Sequence, residues 1–247
     1  MSERKRVMLI TGAAGGVGKA TLTVFAEAGW RVIGVDRRPF DAAFPEDGLF
    51  IQADIAVPEE VRAAFDKVKA FTPVLDAVIN NAALQVCKPI LETSIEEWDA
   101  VMAANLRAVF LWAQYTHPLL VAAGGGAFVN VSSVHAVATS KGVASYAASK
   151  GGILAMTRSM AIEFACDHIR TNAILPGAVN TPMLTDHLNK ERLENLARRT
   201  VNGRVGEPEE IAHAIYFLAD NHQSSFMTGQ SIIVDGGATS LLSTEGE

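Results

Sequence analysis

A tyrosine and a lysine four residues apart, Tyr146 and Lys150, stand at the head of a segment whose apolar residues recur at helical spacing. Side chains at such positions project from one helix face, so the phenol and the ammonium can touch. A neighbouring ammonium favours phenolate over phenol and is expected to draw the tyrosine pKa down from about 10 toward the working range, making Tyr146 a base. Ser132 and Ser133 follow the apolar run Ala127–Val131, where one hydroxyl could hold a substrate oxygen. Singly, a Tyr-x-x-x-Lys pair reads as a solvated helix face and a Ser-Ser pair as a turn. Together they point to proton transfer at a substrate oxygen.

A second chemistry-bearing segment runs Thr11-Gly12-Ala13-Ala14-Gly15-Gly16-Val17-Gly18, between an apolar strand and a helix. At a strand-to-helix turn, glycines let the backbone approach a pyrophosphate while free N–H groups and the positive helix end stabilise its charge. A nucleoside-triphosphate P-loop is excluded, because Gly18-Lys19 is followed by Ala20 and Ala13 stands where the first glycine belongs. A plain tight turn does not need four glycines, so a dinucleotide is the better reading. Asp36 lies 18 residues beyond Gly18, near the offset of about 20 at which a carboxylate reaches the adenosine ribose diol. That carboxylate favours NAD by repelling a 2′-phosphate, whereas the adjoining Arg37 and Arg38 could bind one and leave NADP as the lesser alternative.

The elements that must position these residues follow from hydrophobic periodicity. Short apolar runs at Val7–Ile10, Val32–Val35, Val74–Ile79, Ala127–Val131, Ile169–Ile174 and Ile232–Val234 read as buried strands. The stripes Val17, Thr21, Val24, Phe25, Ala28 and Ile153, Met156, Met160, Ala161, Phe164 read as helices. Gly29 stops the first helix, Ser94 and Glu97 form a capping box that opens another, and Pro118 is expected to kink or interrupt the chain beyond it. Strands of near-continuous apolar character alternating with helices imply a parallel sheet covered on both faces. The expectation is an α/β fold, a Rossmann-type doubly wound sheet in a single domain over 1–247. A polar, helix-rich stretch at about 183–203 breaks the strand rhythm and reads as a substrate lid.

Composition narrows the partner. The 247 residues are 49% hydrophobic and 19% charged with net charge -6, a balance that favours a small molecule over nucleic acid. Every apolar run is too short for the roughly 18 residues of a membrane span. The N-terminal run of Val7–Ile10 is also too short for a secretory signal. Two cysteines, Cys87 and Cys166, outline neither a disulfide scaffold nor a metal site and suit a reducing, cytoplasmic setting.

With these residues in view, the chain resembles the short-chain dehydrogenase/reductase family over essentially its whole length. The matching residues are Thr11-Gly-x-x-x-Gly16-x-Gly18, Asp54-Ile55, Asn80-Asn81-Ala82-Ala83, Asn105, Ser133, Tyr146-x-x-x-Lys150, Pro176-Gly177 with Thr181, and Asp235-Gly236-Gly237. The resemblance implies a hydride transfer between nicotinamide and a secondary alcohol or ketone. It implies that Ser133, 13 residues before the tyrosine, positions the substrate oxygen, which leaves Ser132 structural. Tyr146 would be the acid/base, Lys150 would also bind the nicotinamide ribose, and Asn105 would help hold a water through which the proton leaves. Gly12, Gly16, Val17, Gly18, Asp36, Asp54, Ile55, Asn81, Ala82, Pro176, Gly177, Val179 and Thr181 would line the cofactor cleft. In isolation, Asp54 could equally cap a turn and Asn80-Asn81 terminate a strand. Ala83 departs from the glycine that many members carry, a mild change unless the backbone there needs positive φ.

The residues expected to face substrate are Gln85 and Cys87, His135 to Val137, and Met183 to Leu188. His135 could donate a hydrogen bond to a hydroxylated substrate or simply brace its loop. The runs around Ser133, Tyr146 and Pro176 look like those of sugar 1-dehydrogenases, which suggests a sugar or polyol. One rival is a 3-ketoacyl-carrier-protein reductase using NADPH. Against it, Leu119–Gly126 is uncharged, and Asp167 precedes His168 where such reductases tend to carry arginine. A non-catalytic dinucleotide sensor is the other rival, and the complete Asn105, Ser133, Tyr146 and Lys150 set argues against it. The resemblance further implies a homotetramer packed through the helices around Ile95–Val121 and Tyr146–Ala165.

Overall fold

The computed structural model describes residues 4–186 and 190–241. They form a parallel sheet of seven strands in the order β3-β2-β1-β4-β5-β6-β7. The strands are β1 (Val7–Thr11), β2 (Arg31–Asp36), β3 (Leu49–Gln52), β4 (Ala77–Asn80), β5 (Gly126–Val131), β6 (Ile169–Pro176) and β7 (Ser231–Val234). The helices are α1 (Gly16–Glu27), α2 (Pro58–Phe71), α3 (Ile95–Met102), α4 (Ala108–Ala122), α5 (Ala144–Glu163), α6 (Pro182–Thr185), α7 (Lys190–Arg198), α8 (Pro208–Ala219) and α9 (Asn221–Ser224).

Strand residues alternate faces, so a continuous apolar run feeds two cores at once. In β1, Val7 and Leu9 join a cluster under α2, α4 and α5 that includes Val61, Val68, Trp112, Leu120 and Met160. Met8 and Ile10 join the opposite cluster, closed by Leu22 and Phe25 of α1 and by Ile211, Ile215 and Leu218 of α8. The doubly wound architecture expected from the sequence is the one observed.

Strand order reverses between β1 and β4, which lie side by side although β2 and β3 intervene in sequence. The carboxyl ends of β1 and β4 therefore open a crevice, the usual ligand position in such sheets. Three readings of the elements need correction. β3 has no counterpart among the expected strands, because it is a four-residue edge strand with a single buried side chain. β4 starts at Ala77 rather than Val74, since Leu75 N–H turns to the Leu119 carbonyl, outside the sheet. Pro118 does not interrupt α4: its missing N–H would have met the carbonyl of Gln114, and both residues are exposed, so water can take the place of the lost donor. The stretch read as a lid holds α6 and α7, with residues 187–189, and so Leu188, outside the described residues.

One buried cation anchors the far edge of the sheet. Arg170 of β6 donates to the Leu218 and Ala219 carbonyls at 2.9 and 3.3 Å, to Ser224 Oγ at 3.1 Å and to Asn221 Oδ1 at 3.1 Å. It thereby caps the C-terminal carbonyls of α8, where positive charge also complements the helix dipole. Arg170→Met is expected to lower unfolding free energy by about 3 kcal/mol, because buried carbonyls lose a charged donor. Urea denaturation checks this, and an unchanged midpoint would show the carbonyls to be satisfied otherwise.

Candidate active site

The crevice floor is set by β1 running into the glycine turn. Gly12 has φ of 71°, and a Cβ there would lie 2.8 Å from both Ala82 Cα and Asn81 Nδ2. A Cβ on Gly18 would meet the Gly12 carbonyl at 2.0 Å, and one on Gly16 would meet Thr181 Cγ2 at 2.7 Å. These glycines are needed to bring three loops together. Asn81 Nδ2 donates to the carbonyls of Thr11 at 3.0 Å and Gly12 at 3.2 Å, while Thr11 Oγ1 accepts from the Asn81 and Ala82 amides. Asn80, in contrast, is buried in β4 and donates to Asn130 Oδ1 at 2.8 Å. Ala83 has no positive φ, so the alanine fits its turn without strain.

The crevice suits a dinucleotide. α1 opens on Gly15 without a side-chain cap and with no acidic residue in its first turn. The N–H groups of Gly16, Val17 and Gly18 have no intrahelical acceptor, and an uncompensated helix N-terminus attracts a pyrophosphate. Asp36 is buried at the end of β2, its Oδ2 accepting from Ala14 N and its Oδ1 from Arg38 N, each at 2.9 Å. Arg38 Nε stands 3.6 Å from the same carboxylate. Acid and base thus share the edge where an adenosine ribose would lie. Asp54 caps its own turn, with Oδ1 accepting from Ala56 N at 2.9 Å, while Ile55 is buried in the core under α2. Across the crevice, Gly177 N–H donates to the Val234 carbonyl, Val179 is buried and bridges to Gly206, and Thr181 packs on Gly16. Pro176 closes β6 just before this loop.

Beyond the crevice, β5 and α5 bring the reacting groups together. Tyr146 and Lys150 lie one turn apart and are buried. Lys150 Nζ donates to the Val131 carbonyl at 2.7 Å and stands 5.5 Å from the centre of the Tyr146 ring. Ser132 Oγ donates to the Lys150 carbonyl at 2.8 Å, a structural tie. Ser133 Oγ accepts from His135 N at 3.2 Å and lies close enough to the Tyr146 hydroxyl to favour its ionised form.

Among the protein's own groups, the electrostatics run against one expectation. Burial pushes the Tyr146 phenol up to about 12; the Ser133 hydrogen bond opposes that rise and nearby Cys87 adds to it. Burial pushes Lys150 down to about 7. The sequence pattern anticipates a cation drawing the tyrosine down, but the low-dielectric surroundings penalise both charges at once.

Asn105 sits in a π-type turn, Ala103–Arg107, that joins α3 to α4. Such turns recur at functional sites. Its Oδ1 accepts from Leu84 N at 2.7 Å, and its Nδ2 donates to the Leu84 carbonyl and to Ser149 Oγ, each at 2.9 Å. Ser149 Oγ in turn donates to the Tyr146 carbonyl at 2.7 Å. Both amide protons are spent on protein, so Asn105 fastens the loop after Ala83 to α5, and only its oxygens remain for a water. Neither Ser149 nor the Val131 carbonyl stands out in the sequence. Ser149 lies between Tyr146 and Lys150 with a residue type common in helices, and a backbone acceptor leaves no side-chain signature.

Of the residues expected to face substrate, Gln85 and His135 are half-buried, whereas Cys87, Val137 and Met183 are exposed. The Cys87–Lys88 segment joins the site through a bridge from Lys88 to Val143, just before α5.

A family model described as enoyl-(acyl carrier protein) reductase matches residues 12–239, from the glycine turn to the loop after β7. The chain belongs to the short-chain dehydrogenase/reductase family. As a short-chain dehydrogenase/reductase it is an oxidoreductase that acts on CH–OH groups with a nicotinamide cofactor. It is 38% identical over 240 residues to the 3-oxoacyl-(acyl-carrier-protein) reductase FabG of Thermotoga maritima, covering 94% of this chain and 97% of that protein. It is 34% identical over 244 residues to the cyclohexanol dehydrogenase of Acinetobacter sp. strain SE19, covering 95% of each. Among solved structures, ligand-free aldohexose dehydrogenase of Thermoplasma acidophilum superposes with a TM-score of 0.90 at 27% identity, covering 99% of this chain and 98% of that one.

Proposed function

We propose that this short-chain dehydrogenase/reductase interconverts a secondary alcohol and its ketone with NAD, on a small hydroxylated substrate such as a sugar or polyol, with Tyr146 as acid/base. The observation that carries this reading is the meeting of Tyr146, Ser133 and Lys150 at the carboxyl edge of β5, beside a helix N-terminus free to hold a pyrophosphate. Ser133 and Tyr146 hold the substrate oxygen; the buried Tyr146 phenol gives its proton to that oxygen as a ketone is reduced, and in oxidation its phenolate, which the positive charge of a bound oxidised nicotinamide would favour, takes the proton as the carbonyl forms. The bound nicotinamide supplies the hydride acceptor, or the donor in reverse. Lys150 is fixed at the site by its bond to the Val131 carbonyl and would also hold the nicotinamide ribose. Asn105, Gly12, Gly16, Val17, Gly18, Asp36, Ile55, Asn81, Ala82, Val179 and Thr181 shape the cleft.

NAD is favoured over NADP because Asp36 is buried and fixed by Ala14 at the ribose edge, where its charge repels a 2′-phosphate. Asp36→Asn keeps an acceptor for Ala14 N and removes the charge. The ratio of kcat/KM for NAD over NADP is then expected to fall roughly tenfold. Initial rates with both cofactors measure it, and an unmoved ratio would remove Asp36 as the selector.

The likeness to an acyl-carrier-protein reductase supports a second reading, NADPH-dependent reduction of a 3-oxoacyl thioester. An acidic carrier needs clustered cations. Here Asp167 instead pairs with His117 at 2.9 Å, and Lys88 is engaged by Glu97. For assembly, the exposed Trp98, Phe110 and Ile162 on α3, α4 and α5 support a homotetramer packed through these helices.

A further inference from the structure

His135 lies beside the reacting groups with one ring atom uncommitted. It occupies the short helical turn Val134–Ala136 that follows Ser133. Its backbone N–H donates to Ser133 Oγ at 3.2 Å, and its ring meets the Tyr146 ring edge-on, with centroids 5.9 Å apart and planes at 80°. Nδ1 is paired with Thr139 Oγ1 at 3.0 Å, and among the described residues Nε2 has no hydrogen-bond partner. Burial lowers the pKa of the imidazolium, so the ring is neutral in the working range.

A neutral imidazole engaged at Nδ1 presents Nε2 as an N–H or as a lone pair, according to its tautomer. The Thr139 hydroxyl can accept or donate, so both tautomers are open. A substrate hydroxyl answers either of them, whereas an ether or carbonyl answers only the N–H form. The ring packs on Tyr146, 5.9 Å between centroids, so the hydroxyl it would bind belongs to the same pocket as the oxygen that Tyr146 and Ser133 would hold.

We propose that His135 is a specificity-determining residue, which through Nε2 binds a second hydroxyl on a carbon next to the carbinol and so selects vicinal diols over simple alcohols. The inference rests on the function proposed above and names its substrate class. A half-buried site that hydrogen-bonds a hydroxyl rejects the analogue lacking it, since the partner atom is left unpaired.

The matched probes are cyclohexanol and cyclohexane-1,2-diol, the latter as separate cis and trans isomers, oxidised with NAD by wild type, His135→Leu and His135→Gln. The readout is the diol-to-monol ratio of kcat/KM, in which a general loss of activity cancels. Wild type is expected to favour one diol isomer. His135→Leu is expected to lower the ratio roughly tenfold, the factor for one uncharged hydrogen bond, mainly through KM for the diol. His135→Gln is expected to restore part of it. Equal losses on both probes would reduce His135 to a brace for its loop and overturn the inference. Oxidation of cyclohexanol with no diol preference in wild type would overturn it while leaving the proposed function standing. Oxidation of neither probe, nor of any other secondary alcohol, would remove the proposed function and this inference together.

Discussion

Tyr146→Phe is expected to lower turnover by a factor on the order of 10² to 10⁴, the usual worth of a positioned acid/base, while leaving NAD affinity within about twofold. The substitution removes one oxygen and keeps the ring, so the edge contact with His135 and the burial of the residue persist. Ser133 retains its bond from His135 N and can still meet the substrate oxygen. The group that takes the proton is lost. Titration of NAD by fluorescence quenching, set beside steady-state kcat, separates the two effects. Turnover within a few-fold of wild type would move the proton-transfer role away from Tyr146.

Lys150→Met carries the second large effect, on activity and on the pH dependence of stability. Methionine fills the volume but cannot donate to the Val131 carbonyl, so turnover is expected to fall on the order of a hundredfold or more. The stability effect follows from linkage. The folded-state pKa of Lys150 lies at about 7, against an ordinary value of 10.5 in the unfolded chain. Below pH 7 both states hold the proton and the folded protein bears the full cost of a buried ammonium. Between pH 7 and 10.5 the unfolded chain binds more protons, so wild-type stability rises with pH. The variant lacks this group, so its stability relative to wild type is greatest at neutral pH and below, and shrinks toward pH 10.5. Tyr146, with its pKa raised, gives the opposite slope between about 10 and 12 in both proteins and cancels in the difference. Urea denaturation of the pair at about pH 6, 8 and 9.5 tests the sign. A constant difference across the window would mean that Lys150 stays charged in the fold.

The sequence exposes features that repeat or that carry unusual side chains. Apolar runs reveal β1, β2 and β5, because a strand buried on both faces is apolar nearly throughout, and they mark β6 and β7 as well, although β6 carries Arg170, Thr171 and Asn172 and β7 is an edge strand with no buried side chain. β3, the other edge strand, is short: its apolar residues are the three of Leu49–Ile51, of which one is buried. The capping box at Ser94 and Glu97 is visible because both partners are side chains at fixed spacing, and both of its hydrogen bonds form. The juxtaposition of Tyr146 and Lys150 follows from helix geometry alone. Their charge states do not, since these depend on burial by residues distant in sequence, which raises the Tyr146 phenol and lowers the Lys150 ammonium; the positive charge of an oxidised nicotinamide would act on Tyr146 in the opposite sense. The π-type turn at Asn105 and the Val131 acceptor of Lys150 are backbone features with no residue signature. Asp36 is conspicuous as the acid ending β2, but its bond to Ala14 N, which makes it part of the phosphate turn, becomes visible only in three dimensions.

The most direct measurement is the initial rate of NADH formation by the purified enzyme with NAD and cyclohexanol, cyclohexane-1,2-diol or an aldohexose, beside NADPH oxidation with a 3-oxoacyl thioester. The expected result is NAD reduction on a hydroxylated ring, abolished by Tyr146→Phe, with little thioester activity. Rapid NADPH oxidation by the thioester and silence with every alcohol would contradict the proposed function.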